Sequence, residues 1–497
     1  MPARTLMVQG TASSVGKSLL VAALCRYFRQ KGLRVAPFKS QNMSNNSFVT
    51  IEGLEIGRAQ AMQAEACGIA PSVDMNPVLL KCESDHHLQV VALGKAVASM
   101  SGDAYYEYAS QLKPAIKGAL NRLKDKYDLI ILEGAGSPAE VNLQSRDLAN
   151  MYAAKEAGAP VLLVGDIDRG GVFASLIGTL DLLLPEDRPR VKGLLINKFR
   201  GNLDILKPGL VFIEQKSGLP VLGVLPFLSG LSIAEEDSAS LEEPRKKSNA
   251  PLKIRVIQFP RISNFDDFQP LERESAVDLQ FIEKPENAAD ADLLILPGTK
   301  STAADLQWLR ARGFERLLQD RVQKGLPVLG VCGGYQMLGE TIEDPNQVES
   351  KEISISGLGL LPITTRFEKE KVTAQVEASV MEGSSLGTKG LMVKTYEIHM
   401  GRVVLKSSAQ PLFQVRSRNG QSVTETEGVI KGLVAGTLMH GLFENKEVRQ
   451  ALISHLGRRK GLTLLSDVYS KDAEYDRLAE MIRNHLDTKF LDQLAGL

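Results

Sequence analysis

What the sequence lacks narrows its possible roles first. Lys plus Arg number 59 and Asp plus Glu number 59 among 497 residues, so there is no surplus of either sign. Nucleic-acid backbones and anionic membrane surfaces are held by a basic excess, and neither is expected as a main partner. No apolar run reaches the roughly 18 residues that span a bilayer, and the N-terminus passes from a short apolar strand straight into a glycine loop. Neither a signal peptide nor a membrane anchor is expected. The four cysteines, Cys25, Cys67, Cys82 and Cys332, lie far apart with no CxxC pair. That excludes a disulfide framework or zinc ribbon and points to a reducing cytoplasm.

What is present reads as an ordinary folding chain, with 43% hydrophobic and 24% charged residues, too long for one core. Up to residue 228, short apolar runs recur between helical stretches: Thr5 to Gln9, Val35 to Phe38, Leu129 to Leu132, Val161 to Val164, Gly193 to Ile196 and Val221 to Leu225. Runs that are apolar without alternation predict parallel strands covered on both faces, and hence a doubly wound α/β domain over 1–228. Residues 229–251 turn acidic and then mixed in charge with prolines, which predicts a linker. A second doubly wound α/β pattern occupies 252–445 and becomes strand-rich from about residue 359. The remainder, 446–497, reads as a helical extension in which Tyr475, Leu478, Ile482, Leu486 and Phe490 share one face, a stripe expected to pack in a core.

The first strand runs into GTASSVGKS and then a strong helix former. Strand, glycine loop and helix together make a phosphate site: backbone amides of Gly10, Thr11 and Gly16 turn inward, Lys17 supplies a cation, and the Ser18 hydroxyl suits Mg²⁺. Five residues rather than the usual four separate Gly10 from Gly16. At later strand ends, Glu133 in EGAG is a candidate Mg²⁺ ligand, and GDIDRGG offers Asp166 and Asp168, as helix cap or as support for the metal. Asn197 and Lys198 in INKFRG are candidates for purine recognition. Lys39 opens a stretch to Asn46 in which seven of eight residues are polar, suited to a polar acceptor or simply to a solvated loop.

The second domain carries PVLGVCGGYQML, a strand followed by Gly330-Val331-Cys332-Gly333-Gly334 and a helix. Glycines bracket a nucleophile in this way because side chains would clash in the strained turn, and the helix N-terminus favours the thiolate. His440 in LMHGLFEN is the leading candidate for its base and His399 in YEIHMGR the competitor. Gly298 in LPGTKST and Gly333 are candidate oxyanion donors. A thiol with a histidine does acyl transfer, and a phosphate loop in the same chain activates with ATP. Together they suggest glutamine hydrolysis coupled to amination of a phosphorylated carboxylate.

GTASSVGKS, PFKSQNMSNNS, EGAGSPAEVNL, GDIDRGGVFASL, LPGTKST, GVCGGYQMLG, YEIHMG and GTLMHGLFEN, in this order, resemble the glutamine-hydrolysing cobyric acid synthase family of cobalamin biosynthesis over essentially the whole chain. The resemblance implies a P-loop domain like dethiobiotin synthetase, whose loop has the same extra residue, fused to a class I-like glutamine amidotransferase. It implies ATP- and Mg²⁺-dependent amidation of the b, d, e and g carboxylates of adenosylcobyrinic acid a,c-diamide to adenosylcobyric acid, with glutamine as nitrogen donor. Cys332 and His440 match the family's nucleophile and histidine, Lys17 and Ser18 its phosphate and Mg²⁺ positions, and Lys39 and Glu133 the synthetase-like phosphate and metal positions. Most class I amidotransferases carry Glu two residues after the histidine, where this chain has Leu442; Glu444 is then the candidate to orient His440. CTP synthase keeps that Glu, and cobyrinic acid a,c-diamide synthase carries acidic residues where this chain reads SQNMSNN. A P-loop partitioning ATPase would explain the first domain but not GVCGGYQ.

Overall fold

A computed structural model describes residues 3–84, 87–228, 249–467 and 470–497, so 229–248 of the expected linker lie outside the described residues. All six runs expected as strands form one parallel sheet. Its order is Val221–Pro226, Val191–Phe199, Val161–Asp166, Arg4–Gly10, Leu129–Glu133, Val35–Phe38. From the central first strand the chain passes to the edge strand Val35–Phe38, returns to Leu129–Glu133 and then winds outward on the other side, and ligands in such sheets bind at the carboxyl ends beside that reversal. Each strand is apolar because two cores sandwich the sheet: Met7, Ile130 and Leu163 pack on one face and Leu6, Ile131 and Leu162 on the other.

The second sheet has a parallel half ordered Val277–Ile282, Leu252–Ile257, Leu293–Leu296, Val328–Val331, Val434–Thr437. It continues into long antiparallel strands, among them Ile363–Val380 and Met392–Leu405, which form the strand-rich part expected from the sequence. Helices again cover both faces. None of the described helices is long and apolar enough to cross a membrane.

Of the two readings of the polar run after the second strand, the solvated loop is excluded: Lys39, Ser40, Asn42, Asn46 and Ser47 are buried. Gln41–Met43 pairs with Val78–Ser84 in a small added sheet, while Ser47–Val49 and Glu55–Gly57 form a hairpin leading into the helix Arg58–Cys67. The run is buried despite its polarity because its groups find partners, as when Ser40 Oγ donates to Leu148 O at 2.6 Å and Asn42 Nδ2 to Gln60 Oε1 at 3.1 Å.

The tail 446–497, expected as one helical extension, divides between the two cores. Lys446–Arg459 buries Val448, Leu452 and Ile453 in the second domain. Lys471–His485 returns to the first domain, where Tyr475, Leu478 and Ile482 pack with Val21, Leu24 and Phe28 of the helix Lys17–Gln30. Burial of each such leucine or isoleucine is worth about 1.5–3 kcal/mol, enough to hold the tail on the helix that follows the phosphate loop. Gly223 permits the closest approach: a Cβ there would lie 2.0 Å from His485 O.

Candidate active sites

The phosphate loop lies between the central strand and the helix Lys17–Gln30. Gly16 adopts φ 95°, and a Cβ there would meet Asn197 Nδ2 at 2.3 Å, so only glycine fits. Thr11 N donates to Val164 O at 2.9 Å, while Lys17 Nζ reaches across the loop mouth to Ala12 O at 2.8 Å and Gly136 O at 3.2 Å. Asn197 Nδ2 donates to Val15 O at 2.8 Å and Lys198 Nζ to Ser14 O at 2.6 Å. Both side chains, the candidates for purine recognition, thus also contact the loop backbone, because the register places the strand Val191–Phe199 behind it. Asp166 joins them, accepting from Asp168 N at 2.8 Å and pairing with Lys198 at 3.1 Å.

Glu133, 1% exposed, is the hub of this site. Its Oε1 accepts from Ser18 Oγ at 2.8 Å and pairs with Lys39 Nζ at 2.9 Å, and its Oε2 accepts from Gln63 Nε2 at 2.5 Å. Sequence spacing gave no sign of Gln63. The partly exposed Ser18 hydroxyl and the buried Glu133 carboxylate converge as two hard oxygen donors, which fits Mg²⁺. Beside them opens a cavity of about 450 Å³ bordered by Lys17, Lys39, Glu133, Tyr105 and Arg146.

The second centre forms at the carboxyl ends of the other parallel strands. Cys332 sits at φ 51° and ψ −113°, the strained turn expected of a nucleophile elbow, immediately before the helix Gly333–Leu338. The flanking glycines are required by close approach: a Cβ at Gly334 would lie 2.1 Å from Leu296 O. Gly298 borders His440, whose Cε1 would be 3.0 Å from a Cβ added there, and Gly333 lies against the Thr299 backbone. The two candidate oxyanion residues thus adjoin one centre, Gly298 after its strand and Gly333 at the start of its helix.

His440 is 2% exposed, and its Nδ1 lies 2.6 Å from Asp267 Oδ2; Asp267 Oδ1 also accepts from Gly441 N at 2.8 Å. Burial works against the imidazolium, but the Asp267 carboxylate and the Cys332 sulfur outweigh it and push His440 up to about 10. Glu444, the candidate left open by the sequence, pairs with Lys471 at 2.9 Å and Arg58 at 3.5 Å. The sequence did not reveal Asp267, which lies 173 residues from the histidine in a short helical turn of its own. His399 is also buried, but its Nδ1 lies 2.8 Å from the Gly401 carbonyl and burial lowers its pKa. The geometry separates the two histidines: only His440 carries a carboxylate on the ring nitrogen away from the thiol.

Comparison with known proteins agrees with this two-part layout. Residues 6–241 match the family described as a CobQ/CobB/MinD/ParA nucleotide binding domain, and 253–448 match the CobB/CobQ-like glutamine amidotransferase domain. Cobyric acid synthase of Sorangium cellulosum is 51% identical, covering 100% of this chain and 99% of that protein. Those of Dehalococcoides mccartyi strain CBDB1, at 50% with 98% of this chain and 97% of the relative, and Thermoanaerobacter sp. strain X514, at 48% with 97% of each, are similar throughout. These matches span essentially the whole chain, and the chain belongs to the cobyric acid synthase family.

Proposed function

We propose that the chain hydrolyses glutamine at Cys332 and uses the released ammonia, with ATP, to amidate the b, d, e and g carboxylates of adenosylcobyrinic acid a,c-diamide. The observation that carries this reading is the pairing in one chain of a Cys332–His440–Asp267 centre with a lysine-bearing phosphate loop. In the first half-reaction the Cys332 thiolate attacks the side-chain amide carbon, with the Gly298 and Gly333 amides facing the developing oxyanion. His440 protonates the leaving ammonia, and water then releases glutamate from the thioester. In the second, Lys17 and the loop amides hold the ATP phosphates, the corrin carboxylate takes the γ-phosphoryl group, and ammonia displaces phosphate from the acyl phosphate. Mg²⁺ held by Ser18 and Glu133 would neutralise charge on the phosphate oxygens. The reacting carboxylate is assigned to the cavity beside Glu133. Mass spectrometry of the a,c-diamide after incubation with enzyme, ATP, Mg²⁺ and glutamine tests the whole: successive exchange of OH for NH₂ is expected, and unchanged substrate defeats the assignment.

Two further outcomes follow from the site geometry. Asp267→Asn removes the charge that holds the proton on His440, so the pKa of the imidazole falls and the alkaline limb of glutaminase kcat/KM moves to lower pH. The rate itself drops at least about tenfold, because the ring also loses its orienting partner. An unmoved alkaline limb would show that the carboxylate does not control His440. Replacing Ser18 or Glu133 by alanine raises the Mg²⁺ concentration needed for half-maximal amidation; a superimposable Mg²⁺ titration would leave Glu133 as a purely structural hub.

A further inference from the structure

The loop that carries Asp267 is gripped from the other domain. Asn264, buried and at φ 52°, pairs with the Ser47 backbone in both directions, accepting from Ser47 N at 3.3 Å and donating to Ser47 O at 2.9 Å. It also donates to Tyr396 OH at 3.1 Å, and the Tyr396 ring stacks on His440 with centroids 5.5 Å apart. Phe48 abuts the edge of the same tyrosine at 4.9 Å. Two residues on, Asp266 forms an ion pair with Arg58 Nε at 2.6 Å, and both side chains are largely buried. Ser263 N in this loop donates to Gly298 O at 2.9 Å. Ser47, Phe48 and Arg58 thus reach from the nucleotide-binding domain to the segment that places both Asp267 and Gly298. Arg58 opens the helix Arg58–Cys67, and farther along that helix Gln63 donates to Glu133 at the phosphate site.

We propose that Arg58 is a positioning residue for the glutaminase centre, supplied by the synthetase domain: it fixes Asp266 and thereby the adjoining Asp267–His440 pair, so that the thiol centre is assembled on the docked partner domain. A guanidinium suits this task because it is permanently charged and presents a rigid fork to carboxylates. Without it Asp266 would be a buried carboxylate beside Asp267 with its principal counter-charge gone, and the turn would relax away from His440.

The inference rests on the glutaminase reading above, and the test separates the two. Arg58→Met in the full chain is expected to lower glutamine-dependent kcat about tenfold or more while KM for glutamine and ammonia-driven amidation hold. Arg58→Lys recovers part of the loss, and Arg58→Met adds little to Asp266→Asn because both act through one pair. Full glutamine-dependent kcat in Arg58→Met, or additive losses in the double variant, overturns the proposal. Should Arg58→Met fail to fold, Arg58→Lys decides: loss confined to glutamine-dependent kcat supports the role, and an unaltered kcat removes it. Glutamine-dependent turnover surviving in Cys332→Ser, assayed alongside, would instead defeat the assignment of the thiol centre itself.

Discussion

Cys332→Ser is expected to lose glutamine-dependent amidation by several orders of magnitude while still amidating its substrate from concentrated ammonium salt at alkaline pH, where free NH₃ is plentiful. The serine hydroxyl fills the elbow without changing its shape, but its far higher pKa removes the nucleophile. His440→Ala should behave in the same way, since the thiol then has no proton acceptor and the leaving ammonia no donor. The separation is expected because Cys332 and His440 belong to the domain of the second sheet, whereas Lys17, Ser18 and Glu133 belong to that of the first. His399→Ala is the control and should retain glutaminase activity, its imidazole being held by Gly401 O rather than by the Asp267 carboxylate. If Cys332→Ser, still folded, also lost ammonia-driven amidation, the thiol would belong to the synthetase step and the assignment by domain would be wrong.

Lys17→Ala should show the opposite pattern, with amidation falling by about 10² or more from either nitrogen source. The ammonium group bridges Ala12 O and Gly136 O, closing the mouth of the loop where the β- and γ-phosphates would lie. Its removal takes away both a structural tie and the cation aimed at charge developing during phosphoryl transfer. Glutamine hydrolysis measured alone should suffer far less, since Lys17 has no part in the thiol centre. Normal ammonia-driven turnover in Lys17→Ala would remove the phosphate assignment.

The parts of both centres legible in the sequence are those whose signal is local. GTASSVGKS and GVCGGYQ announce themselves because a strained turn between strand and helix needs glycine within a few residues of the reactive side chain, as Gly16 and Gly334 show. The six apolar runs of the first sheet were legible because each is covered on both faces. Asp267 was not, since nothing in NFDDF distinguishes an orienting carboxylate from a solvated one, and the familiar place for it two residues after His440 holds Leu442. Sequence put Asn197 and Lys198 at the sheet edge beside the phosphate loop, but only strand register turned their donors onto the loop carbonyls Val15 O and Ser14 O.

The sequence by itself determined the two-sheet architecture, the phosphate loop and the nucleophile elbow, because turn strain, strand burial and helix initiation act over neighbouring residues. Tertiary structure alone decided which carboxylate orients His440, that Glu133 collects Ser18, Lys39 and Gln63, that the helix Lys471–His485 returns to the first core, and that Arg58 reaches across to Asp266. Those pairings join residues tens to hundreds of positions apart. They are selected by the burial of charge, which demands a partner wherever the fold places one and leaves no periodic trace in the chain.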